Sequence, residues 1–71
     1  MYVIQKRTPA TNYYTIHSNL TEESAKHMLA VIYRNYAKDA ENMEEPSLAE
    51  DGMSLYAYEG GDTIHFIVVE V

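Results

Sequence analysis

Two successive glycines, Gly60 and Gly61, join an alternating run from Met53 to Glu59 to a second one from Asp62 to Val71. No other feature limits the fold as much. Glycine takes the positive φ angles of a tight turn without steric penalty, so strand-forming runs joined by Gly-Gly are expected to fold back as a hairpin. Centring the turn on the pair sets the register: Tyr58 opposite Thr63, Ala57 opposite Ile64, Tyr56 opposite His65, Leu55 opposite Phe66 and Met53 opposite Val68. Side chains alternate between faces, so the register also sorts the residues. One face is wholly apolar, with Met53, Leu55, Ala57, Ile64, Phe66 and Val68. The other carries Tyr56, Tyr58, His65, Ile67, Val69 and Val71, with Ser54 and Thr63. Glu59 opposite Asp62 is a mildly unfavourable like-charge pair that lets the turn open to four residues without changing the register.

Upstream, "MYVIQKRT" and "NYYTIHS" are β-prone runs separated by "PATN", which has turn chemistry, and they predict a first hairpin. The segment that follows predicts a helix. Thr21 is its N-cap, Glu22 and Glu23 suit its first turn, and Leu20 is placed to staple onto Ala25. At 100° per residue, Ala25, Met28, Leu29, Ile32, Tyr33, Tyr36, Ala40 and Met43 form one stripe, which predicts about five amphipathic turns. His27, Val31, Arg34 and Lys38 fall on the far side. Pro46 is expected to close the helix, and Ser47 to Glu50 has the S-x-x-E form of a capping box for one short further turn.

These elements sum to one α+β domain spanning residues 1–71, β-β-α-β-β, in which a four-stranded, mainly antiparallel sheet carries one amphipathic helix on one face. The last strand is apolar on both faces and suits an interior position, which favours the order second, first, fourth, third. A chain of 71 residues buries only about 60% of its unfolded surface. Cysteine is absent, so neither disulfide nor thiolate zinc cage adds stability, and self-association is the remaining route. No apolar run reaches the roughly 18 residues of a membrane span and the N-terminus has no signal-peptide pattern, so a cytoplasmic location without membrane contact is expected.

The net charge of −6 argues against direct nucleic-acid binding, which rests on Lys and Arg. Charge is also lopsided along the chain. Residues 1–38 hold all five basic residues, whereas residues 39–71 hold nine acids and no Lys or Arg.

One helix covers one side of a sheet, which leaves Tyr13, Tyr56, Tyr58, His65, Ile67 and Val69 as the candidate interface, with Thr15 and His17 beside them. Aliphatic and Tyr side chains in that pattern mark a contact surface, and a homodimer through it is the expected partner. A second candidate surface is the acidic stretch, with Glu44, Glu45, Glu50 and Asp51 facing a partner that has a basic surface. Spaced carboxylates imitate phosphates, so the alternative function is a nucleic-acid mimic that inhibits a DNA- or RNA-binding protein. Calcium binding by an EF-hand loop fails, because Glu44 stands where the loop counted from Asp39 needs Gly. His17 and His65 form at most half of a zinc site, a third reading.

Catalysis has little support. No nucleophile elbow, phosphate loop or H-x-x-x-H pair is present, and a core this small leaves little room for a pocket of roughly 300 Å³ or more. His27 is four residues after Glu23 and reads as a helix pair. No cofactor is expected. In size, acidity and a helix laid on a small sheet, the chain is similar in style to accessory proteins of phages and other mobile elements, including inhibitors of host systems.

Overall fold

The computed structural model describes residues 1–39 and 44–71. In chain order the elements are β1 (Tyr2–Arg7), β2 (Tyr14–Leu20), α1 (Glu22–Lys38), β3 (Ser47–Leu48), β4 (Ser54–Glu59) and β5 (Asp62–Glu70). The sheet has the order β2-β1-β5-β4-β3, with every neighbouring pair antiparallel. The β4–β5 ladder keeps the register that the glycines imply, from Glu59 opposite Asp62 to Ser54 opposite Ile67. Val68 N–H donates to the Met53 carbonyl at 2.8 Å and extends it. Gly60 and Gly61 have φ of 57° and 87°, the left-handed conformation for which glycine is suited.

Thr21 caps α1 as expected: its side-chain oxygen accepts from Ser24 N–H at 3.0 Å. The helix packs Ala25 and Leu29 onto the sheet, where they meet Ile4, Leu55, Ala57, Ile64, Phe66 and Val68. Met28, Ile32, Tyr33 and Tyr36 flank this core, and the Tyr36 ring lies 5.9 Å from that of Phe66. Leu20 and Ala25 both join the cluster, consistent with a staple at the helix start. The i,i+4 pair that forms is Glu22 with Lys26 at 3.2 Å, not Glu23 with His27.

Three expectations need correction. The sheet has five strands rather than four, because Ser47 and Leu48 pair with Tyr56 and Leu55 along the free edge of β4. The expected helical turn at Ser47 to Glu50 is therefore absent. Ala49 N–H donates to the Ser54 carbonyl, Gly52 N–H to the Ala49 carbonyl and Met53 N–H to Asp51 Oδ1, so the segment forms a tight turn between strands instead. Pairing with an open strand edge satisfies more backbone groups than an isolated helical turn can. The helix ends at Lys38, where Asp39 N–H closes a tighter bond to the Tyr36 carbonyl at 3.2 Å. Pro46 does not terminate it, but lies buried immediately before β3. Ala40 and Met43 of the predicted stripe lie outside the described residues.

Both edges are poor templates for further pairing. β3 has only two residues, and β2 is broken by two register shifts against β1, one spanning Asn19, whose φ is 59°, and one at Ile16.

Candidate interaction face

Strand alternation puts Leu55, Ala57, Ile64, Phe66 and Val68 under the helix, and their neighbours on the opposite, open face of the sheet. One rung of that face is central. Tyr56 of β4, His65 of β5 and Arg7 of β1 are successive cross-strand partners, so three side chains remote in sequence stand in a row.

The His65 ring stacks on Tyr56 with centroids 4.2 Å apart and planes 11° apart. Tyr13, just before β2, meets His65 edge-on at 5.6 Å, and its hydroxyl is hydrogen-bonded to His65 Nδ1. The Arg7 guanidinium sits 5.2 Å from the centre of the Tyr13 ring. Partial burial, and then the neighbouring Arg7 charge, hold the His65 pKa below its ordinary value. The Tyr13 hydroxyl can donate to Nδ1 of the neutral ring that carries its proton on Nε2, and can accept from Nδ1 of the protonated ring.

The rest of the face is aliphatic. Ile67 lies between Ser54 and Gln5, and Val69 lies beside Val3. Val3 is only 6% exposed although it is outside the helix-covered core cluster. Tyr13 and Tyr56 remain 38% and 42% exposed. Of the predicted interface residues, Tyr13, Tyr56 and His65 form one contact cluster, Ile67 and Val69 continue it along β5, and Tyr58 follows Tyr56 by alternation on β4.

Among the described residues, no strand position on this face carries a carboxylate. Glu59 and Asp62 alternate to the helix side, and Glu59 Oε1 accepts from the Tyr36 hydroxyl at 3.0 Å. Glu70 is on the helix side as well, where desolvation and then Glu22 and Glu70 raise the pKa of Tyr2. The remaining described carboxylates belong to the helix, its C-terminal end or the connections around β3. Arg7 is the one fixed charge of the open face among the described residues. Sequence reasoning missed it, although its alternation with Val3 and Gln5 was a legible signal.

The acidic candidates do not form one patch. Glu44 and Glu45 precede β3 at the end where Glu44 shares a groove with Tyr36, Tyr58 and Glu59. Glu50 and Asp51 follow β3, in the turn whose Gly52 lies against the Lys26 side chain. Asp51 also has a structural task through its bond from Met53 N–H.

His17 and His65 are not brought together either. His17 is level with Ile4 on the edge strand, three rungs from the Arg7–His65 pair and with β1 between them. Strand spacings of about 3.3 Å along and 4.8 Å across put their backbones more than ~10 Å apart. Among the described residues no group of three or more His, Cys, Asp or Glu is arranged to hold a metal ion.

The expectation that so small a chain leaves little concavity is not met, because open grooves of about 330, 600 and 410 Å³ are present. The largest runs along Glu23, Ser24, His27, Met28 and Val31 on the helix surface. Ser24 there is engaged by the cap, accepting from the Thr21 hydroxyl at 2.9 Å. No helix among the described residues is long and apolar enough to cross a membrane. Set against protein-family models, curated proteins and solved structures, the chain matches none of them.

Proposed function

We propose that this is a non-catalytic, cytoplasmic protein-contact module that pairs with a second copy of itself through the open face of its sheet. The supporting observation is that, among the described residues, no strand position of that face carries a carboxylate, in a chain of net charge −6. Two such molecules repel at long range, and a contact that brings no acids together is the least costly one available. Edge pairing is the competing mode, and short or bulged edges disfavour it. Size is compatible too. The molecule measures 37 × 24 × 16 Å, and its broad side is of the order of the ~800 Å² that each partner commits to a stable interface.

Sedimentation at micromolar concentration tests the reading. A dimer is expected, and Ile67→Asp should convert it to a folded monomer by burying a carboxylate between two apolar surfaces. A wild-type monomer, or an Ile67→Asp dimer as tight as wild type, would overturn it.

The alternative is an acidic partner surface that occupies the nucleic-acid site of a basic protein. It draws on Glu44, Glu45, Glu50 and Asp51, all of them exposed. Capture of partners from host extract that weakens steeply between low and moderate salt, and fails when these four are neutralised, would favour it.

A further inference from the structure

We propose that His65 makes pairing through the open face dependent on pH, with the dimer held while its imidazole is neutral and released when the ring takes a proton. This rests on the face-to-face reading above and adds the regulation of that contact.

The argument is one of uncompensated charge. Every group packed around His65 can be named. From β1 comes the Arg7 guanidinium, from β4 the stacked Tyr56 ring, and from the segment before β2 the Tyr13 hydroxyl on Nδ1. Thr63 and Ile67, its same-face neighbours on β5, carry no charge. The helix lies on the other side of the sheet, and so do Glu59, Asp62 and Glu70. Among the described residues an imidazolium here thus meets one positive side chain and no negative one.

In the free protomer, water solvates that charge, because His65 is only partly buried. Covering the face with a second copy removes the water and brings up another face whose described strand positions also lack carboxylates. Protonation also makes both ring nitrogens donors, so the Tyr13 hydroxyl can then only accept from Nδ1. The stacked Tyr56 ring does attract a cation. That attraction is present in the free protomer as well, and only a difference between the two states shifts the equilibrium. The lowered pKa of His65 in the single chain agrees in direction, since burial and Arg7 already disfavour the charged ring before any partner arrives.

Linkage gives the sign and size. With His65 pKa lower in the dimer than in the protomer, association is full-strength above the protomer pKa and weakens as pH falls below it. Two histidines per dimer make the dissociation constant rise as the pH falls from roughly 7.5 to 5.5, by up to about 100-fold per pH unit in the steepest range.

The test is sedimentation equilibrium of the wild-type chain at those two pH values, with far-UV circular dichroism to follow the fold. A folded protein whose dissociation constant rises on acidification is expected. In His65→Gln the ratio of the two constants should fall to near one, whatever its affinity at the higher pH, whereas His17→Gln and His27→Gln should keep the wild-type ratio. If His65→Gln is monomeric throughout, NMR titration of wild-type His65 below and above the dissociation constant decides, with a lower pKa expected in the dimer. An equal pKa in both, a dimer indifferent to pH, or acid dissociation that persists in His65→Gln would overturn the switch while leaving the dimer standing. A wild-type monomer at the higher pH would remove the face-to-face reading itself.

Discussion

The two faces of the sheet are built from the same strands, in the same register, and often from adjacent residues, yet they differ in almost every physical respect. Leu55 is fully buried and Tyr56, its neighbour, is 42% exposed. Phe66 is 3% exposed and sits between His65 and Ile67, both only partly covered. Alternation separates apolar from Tyr- and His-bearing positions, and the exposures differ because α1 lays a second layer on the apolar face and none on the other. Val3 is the exception, 6% exposed without a helix over it and paired with Val69. Charge divides the same way. The helix side tolerates Glu22, Glu59, Asp62 and Glu70 at its margins, while the open face has Arg7 alone among the described residues.

If the comparison holds, equal truncations should have unequal costs. Phe66→Ala should lose about 3–5 kcal/mol, enough to abolish cooperative unfolding in a domain of this size. Tyr56→Ala, measured where the chain is monomeric, should lose only the stack on His65, about 0.5–1.5 kcal/mol. Similar losses in denaturant titrations would break the distinction between the faces.

A smaller effect is expected at the margin of the covered face. Burial first, and then the bond to Glu59, push the Tyr36 pKa up to about 12 from 10.0. The contribution of this neutral phenol to stability is therefore complete below about pH 10 and is lost as the pH rises toward 12. Tyr36→Phe should remove that alkaline dependence, and removing a hydroxyl bond to a charged acceptor costs about 1.5–3 kcal/mol at most, less here because Glu59 is exposed and solvent screens the pair. An unchanged alkaline melting curve would show that Tyr36 and Glu59 do not act as a pair.

The smallest effect belongs to the connections. Replacing Glu44, Glu45 and Glu50 by Gln and Asp51 by Asn should change stability by no more than about 0.5 kcal/mol, because Asn keeps the oxygen that receives Met53 N–H. A large loss would mean that these segments support the covered face.

Much of the covered face was legible before any coordinates, because its signals are local. Gly60 and Gly61 fix a register, alternation then assigns Leu55, Phe66 and Val68 to one side, and Thr21 with the stripe from Ala25 to Tyr36 marks a helix to cover them. Each step needs only near neighbours in the chain. The candidate site was half legible: alternation put Tyr56, His65, Ile67 and Val69 on the open face. What alternation lacks is the lateral coordinate. The row Arg7, His65, Tyr56 depends on β1 lying beside β5, and the Tyr13 bond depends on how the loop after Arg7 turns.

Tertiary structure alone decided the fate of Ser47 and Leu48. Two residues carry too little propensity to announce a strand, and their sequence suits a helix cap equally well. The free backbone groups along β4 settled the matter, since a strand edge satisfies donors and acceptors that one isolated helical turn leaves open. The helix start, the C-terminal hairpin and the division of that hairpin into two faces follow from local residue preferences, because they depend on φ preferences and period-2 geometry within one segment. Which strands became neighbours, and so which side chains surround His65, was decided only when segments distant in the chain competed for the same sheet edges.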